Sequence, residues 1–112
     1  MEKVFAVPTV KGELTTHFGH CQQFAVIITQ DNEIISEEYI TPPAHQPGVY
    51  PRFLAGMGVN VIIAGGMGNR AHELFAQNNI EVHVGVHAET PKFLVEQYLN
   101  NQLQSGQNLC DH

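Results

Sequence analysis

The spacing of the apolar, β-prone runs changes at Pro51. Residues 24–29 and 33–40 are parted by little more than the turn residues Asp31 and Asn32, a gap that allows an antiparallel hairpin and no crossover. After Pro51, the strand-like runs 59–64 and 80–86 alternate with helical patterns, the order expected of parallel strands joined by right-handed crossovers. With residues 3–7 as a further strand, the two regimes predict a three-layer α/β domain. Its sheet is mixed and five-stranded, with an N-terminal antiparallel hairpin and flanking helices.

The helices have their own punctuation. Pro51 suits a first turn, with Phe53, Leu54 and Met57 inward and Gly58 as the stop. Ala71, Leu74 and Phe75 share a face of a second helix, which follows the turn Gly65-Gly66-Met67-Gly68. Thr90-Pro91 opens a third, with Phe93, Leu94, Tyr98 and Leu99 on one side. The pattern ends near Gln104 and leaves 105–112 as a tail.

A chain of 112 residues fits one domain, here 1–112, and can bury roughly 65% of its unfolded surface without a disulfide or structural metal. A net charge of −6 disfavours nucleic acid and anionic membranes as partners. No apolar run approaches the roughly 20 residues needed to span a bilayer, and the opening residues read as a strand rather than a signal peptide. The expected location is the cytoplasm, where Cys21 and Cys110 remain free thiols able to serve as ligands. Seven histidines outnumber the five lysines and arginines together, and a neutral imidazole offers a lone pair to a metal.

The soft donors concentrate in loops and the tail. His17, His20 and Cys21 fall within five residues, with Gly19 to turn the backbone. His45 stands between Pro43 and Pro47, whose fixed φ angles leave the imidazole little entropy to lose on binding. Cys110 and His112 close the chain two residues apart, a spacing that points both donors to one side of an extended backbone. Each motif alone also reads plainly as a core thiol, surface histidines or a frayed tail. Together they give the candidate metal ligands His20, Cys21, His45, Cys110 and His112, with His17 in reserve. Such a set suits zinc, iron or copper. His72 and His83 read as ordinary surface residues.

Gly65, Gly66, Met67 and Gly68 form the candidate anion- or cluster-contacting loop, because backbone N–H groups gather at the helix start and Arg70 is near. The loop has neither the ending of a phosphate-binding Walker loop nor the spacing of a dinucleotide fingerprint, and close strand-to-helix packing alone also calls for glycine. The carboxylates form no inward pair for two-metal or acid-base chemistry, and the serines lack a nucleophile-elbow context, so no catalytic residues are assigned.

With His-Phe-Gly-His-Cys at 17–21, Pro-Pro-Ala-His-Gln-Pro-Gly at 42–48, Ala-Gly-Gly-Met-Gly at 64–68 and the closing Asn-Leu-Cys-Asp-His, the chain resembles the dinitrogenase iron-molybdenum cofactor biosynthesis family. These small proteins are similar to NifX and the C-terminal domain of NifB. The resemblance runs through essentially the whole chain. It implies a ribonuclease-H-like α/β fold and a role in binding, carrying or protecting a metal cluster. Ligand roles carry over to His20, His45, Cys110 and His112, with Cys21 beside them. The family's proline loop often has Glu where this chain has Gln46. The match is closest to stand-alone members found beyond nitrogen-fixing organisms, so nitrogenase itself is not implied.

The expected function is therefore a non-catalytic accessory protein. It would bind a transition metal or an iron-sulfur/molybdenum-type cluster and exchange it with a cluster-assembly or acceptor protein. The alternatives are a regulatory module that binds a small anion or protein partner through the glycine turn and, third, a phosphoester hydrolase.

Overall fold

The computed structural model describes residues 2–15, 21–44, 48–87 and 89–103. Strand β1 (Glu2–Val10) lies at the centre of the sheet, and β2 (Glu13–Leu14) folds straight back onto its end. Then come β3 (Gln23–Gln30) and β4 (Glu33–Ile40), helix α1 (Val49–Gly56), β5 (Val61–Ile63), α2 (Asn69–Gln77), β6 (Glu81–His83) and α3 (Pro91–Leu99). The order across the sheet is β4-β3-β1-β5-β6, with β2 paired to β1. β4, β3 and β1 pair antiparallel, whereas β1, β5 and β6 run parallel.

The mixed sheet and its hairpin follow the change of spacing at Pro51. Asp31 and Asn32 hold φ at 52° and 68°, the positive pair that a two-residue hairpin turn requires. The sheet has six strands rather than the expected five. The extra strand arises at Lys11-Gly12, where φ of 55° and 82° reverse the chain after Val10. Its two residues are too few to register as an apolar run.

Pro8 sits inside β1, beyond the stretch Phe5–Ala6 that β5 pairs. Its carbonyl accepts from the Thr15 N–H at 3.0 Å, and the N–H it lacks would point to the same side, where no full strand waits for a donor.

Alternation along the strands makes two cores. Val4 and Ala6 of β1, Phe24 and Val26 of β3 and Ile62 of β5 pack under α1 and α2, which contribute Tyr50, Leu54 and Phe75. Phe5, Val7, Ala25, Ile27, Val61 and Ile63 face the other way, under Leu94 and Val95 of α3. The result is helix, sheet, helix: three layers built on the strand period of two.

The boundaries move for local reasons. Helix α1 begins at Val49 rather than Pro51, because Gly48 takes φ of 81° as its N-cap; Tyr50 and Leu54 are buried, while Phe53 and Met57 are only partly so. β6 ends at His83 instead of running to Val86, because Gly85 turns the chain at φ of 75°. The Gly85 and Val86 N–H groups instead donate to the carbonyls of Gly65 and Ala64, at 2.9 and 3.4 Å. Phe93 is 42% exposed rather than inward; the buried line of α3 is Pro91, Leu94 and Val95. No helix among the described residues is long and apolar enough to cross a membrane.

Candidate functional site

Strand polarity gathers the loops of interest on one rim. The carboxyl ends of β1, β4, β5 and β6 and the amino end of β3 all lie there, since Thr9 pairs with Gln23, Phe24 with Ile40, and β1, β5 and β6 are parallel. The connections after β2, β4, β5 and β6 therefore start at the same edge. This is the edge of an α/β sheet at which ligands ordinarily bind. Hydrogen bonds tie the loops together: Gln22 N–H to the Thr9 carbonyl at 2.8 Å, Leu14 N–H to the Glu89 carbonyl at 3.1 Å, and Gln23 Nε2 to Thr41 Oγ1 at 3.3 Å.

Cys21 stands at this rim, two residues ahead of β3, as a half-buried free thiol packed against the α1/α2 core. The hydroxyl of Tyr50, the second residue of α1, interacts with this thiol. The Tyr50 ring is fixed edge-on against Phe24, with centroids 5.2 Å apart and planes at 86°. Burial pushes the Cys21 thiol up from 9.0 to about 11, against the lowering effect of the Tyr50 hydroxyl. Burial, then the neighbouring Cys21, raises Tyr50 in turn. The thiol is therefore neutral near pH 7, and a cation must displace its proton to bind there.

Of the expected ligands, only Cys21 falls among the described residues. His17, His20, His45, Cys110 and His112 lie outside them. Among the described residues, no three of His, Cys, Asp and Glu come together in a cluster that could hold a metal. Cys21 thus supplies one soft donor, and a metal or cluster fits the rim only if the remaining donors come from 16–20, 45–47 and the tail. The described flanks of the first two segments do meet. Cys21 follows 16–20, Gly48 follows 45–47, and the Cys21–Tyr50 contact joins them with one residue to spare.

The glycine turn is packed. Gly65, Gly66 and Met67 are buried, and Met67, fully enclosed, belongs to the α1/α2 core. Gly68, partly exposed, is the N-cap of α2, and its carbonyl accepts from the His72 N–H at 3.1 Å. A methyl group placed on Gly68 would meet nothing within 4 Å.

Sequence reasoning missed Tyr50 as the partner of Cys21. Its one signal was a position at the start of a helix directly after the proline loop. It also missed the setting of His83. On the α3 face, His83 Nε2 lies 2.5 Å from Glu81 Oε2, which also accepts from Tyr98 Oη at 2.9 Å; Lys3 Nζ donates to that hydroxyl at 3.2 Å. The His83 contact, opposed by burial and aided by Tyr98, holds the Glu81 carboxyl below the usual carboxylate range.

The family model described as dinitrogenase iron-molybdenum cofactor matches residues 1–101. An uncharacterised protein of Methanocaldococcus jannaschii is 35% identical over 83 residues, which are 70% of each chain. Among solved structures, that of PH0822 superposes with a TM-score of 0.86 at 21% identity, covering 95% of this chain and 96% of the other. The apo form of the orange protein from Desulfovibrio gigas gives 0.76 at 22% identity, covering 95% and 94%. The chain belongs to the dinitrogenase iron-molybdenum cofactor family. That family consists of accessory and carrier proteins of cofactor biosynthesis, which associates this chain with a cofactor-linked accessory role.

Proposed function

We propose that the protein is a non-catalytic carrier that takes a metal ion or an iron-sulfur/molybdenum-type cluster as cargo at the loop rim and passes it to an assembly or acceptor protein. Cys21, His20, His45, Cys110 and His112 are the proposed donors, with His17 in reserve. The observation that supports this reading best is the meeting of Cys21 with Tyr50, which brings the described ends of two donor-bearing segments to one point. The third segment is within reach. Cys110 comes seven positions after Leu103, a length of chain that spans up to about 25 Å, in a molecule 27 Å across its shorter axes.

The donor set has the softness that zinc, copper and iron-sulfur centres prefer. Because burial keeps the Cys21 thiol protonated, cargo uptake releases a proton and strengthens as pH rises. The reading also takes 1–112 as one domain working in the cytoplasm. Its fold is ribonuclease-H-like, which the hairpin-first, crossover-second order supports.

Anaerobic titration with cobalt(II) tests the reading. A thiolate-to-cobalt absorption band should grow to one equivalent and vanish in a Cys21→Ser/Cys110→Ser variant. No such band at pH 8 with excess cobalt would defeat it. A second reading, a regulatory module that holds a small anion or protein partner at the glycine turn, draws support from the open space at Gly68 beside the start of α2.

A further inference from the structure

The chain has two arginines, and both line one cleft. Arg52, the fourth residue of α1, and Arg70, the second of α2, share a cavity of about 210 Å³ with Gly48, Pro51, Leu74 and Asn78. None of these six residues is acidic. Among the described residues, neither guanidinium has a carboxylate within ion-pair distance, although acidic side chains outnumber basic ones eleven to five. The Arg52 side chain folds back toward the start of its own helix, where its Nη2 would lie 3.6 Å from a Cβ on Gly48.

This placement runs against the field of both helices. Cations are unfavourable near a helix N-terminus, neither first turn carries an acidic residue, and neither N-cap makes a side-chain hydrogen bond. A protein of net charge −6 has ample carboxylates to neutralise two arginines on its surface, yet among the described residues none lines the space this pair shares. An anion in the cleft would remove the mutual repulsion and the conflict with the helix field together, and guanidinium forks are matched to oxyanions. The cavity is below the roughly 300 Å³ of a typical small-molecule pocket, which limits the group inside it to about the size of a tetrahedral oxyanion.

We infer that the α1/α2 cleft is a binding site for one phosphate-class oxyanion, held by Arg52 and Arg70. The anion is either free or the phosphoryl group of a larger molecule. Neither Cys21 nor any residue of the 65–68 turn is among the site's described lining residues. The site therefore stands whether or not the carrier reading does.

The experiment is an amide NMR titration of the full chain with inorganic phosphate at constant ionic strength. The expected result is saturable shifts at residues 48–52 and 70–78. Arg52→Gln and Arg70→Gln should each weaken affinity about tenfold, and the double variant should abolish saturation. The ligand-free melting temperature of Arg70→Gln should be unchanged or higher, because the residue opposes its helix dipole; a residue with a purely structural role would lower it. Glycerol phosphate in a parallel titration separates the sources: tighter binding than phosphate marks a phosphoryl group on a larger molecule, and weaker binding marks the free ion. Non-saturable shifts in the parent, or undiminished affinity in the double variant, would overturn the assignment.

Discussion

Replacing Tyr50 by Phe removes one oxygen atom from the rim and little else. The ring is 4% exposed and keeps its edge-on packing against Phe24, so the loss falls on the polar contacts of its hydroxyl, the one with Cys21 among them. A bond of this kind contributes a net stabilisation of about 0.5–1 kcal/mol, at the low end because a thiol is a weak hydrogen-bonding group. For a chain of this length, that corresponds to a fall in melting temperature of about 2–4 °C. The same hydroxyl lowers the Cys21 thiol against the larger effect of burial, so its removal should move the titration midpoint above about 11. The assay is the pH dependence of iodoacetamide alkylation in a Cys110→Ser background, which reads the thiolate of Cys21 alone. The midpoint decides the matter rather than the rate at any one pH. An unchanged or lower midpoint would refute both the effect of Tyr50 on the thiol and the account of how Cys21 is kept protonated.

Other consequences can be checked separately. Gly48→Ala forces an L side chain to φ of 81° at the N-cap of α1 and should destabilise the fold by about 1–2 kcal/mol in urea melts, although the added methyl meets only ordinary contacts. Phe75→Ala opens a fully enclosed position under α2 and should lower stability by about 3–5 kcal/mol by the same measurement. Glu81 has a depressed folded pKa, so its contribution is present above the ordinary glutamate value of 4.5 and is lost as pH falls through the lower folded value. Urea melts between pH 3 and 6 should therefore show a shallower acid-side decline in Glu81→Gln than in the parent.

The layer order and the switch from antiparallel to parallel pairing were legible because they depend on the lengths of the connections. The three residues between 24–29 and 33–40, with the turn pair Asp31-Asn32, admit a single outcome, as do the helical spacers after Pro51. The two cores follow from strand geometry: the run Val4–Val7 is apolar throughout, and Phe5 and Ala6 turn to opposite faces. What the pattern could not show was set by single residues whose backbone departs from the local period. Lys11 and Gly12 create β2, Gly85 cuts β6 short, and Gly48 starts α1 early, all through positive φ values that apolar periodicity does not encode. Phe93 shares the expected apolar side with Leu94, Tyr98 and Leu99, yet a helix of nine residues has only a narrow buried stripe, and Val95 takes the place beside Leu94.

At the candidate site, the sequence identified Cys21 as a soft donor in a loop but gave no sign of Tyr50. The contact joins residues 29 apart in the chain, on separate elements, and is made by the sheet topology rather than by any motif. The Arg52–Arg70 cleft was hidden for the same reason. Sequence reading associated Arg70 with the glycine turn, whereas helix packing brings it to Arg52.

The central claim, that the rim carries metal or cluster cargo, is tested most directly by metal and acid-labile sulfide analysis of untagged protein purified without oxygen or chelators, beside a His45→Ala/Cys110→Ala variant. The account predicts near-stoichiometric metal in the parent and its loss in a folded double variant. Equal metal content in the two proteins, or a parent that stays metal-free after cluster reconstitution, would contradict it.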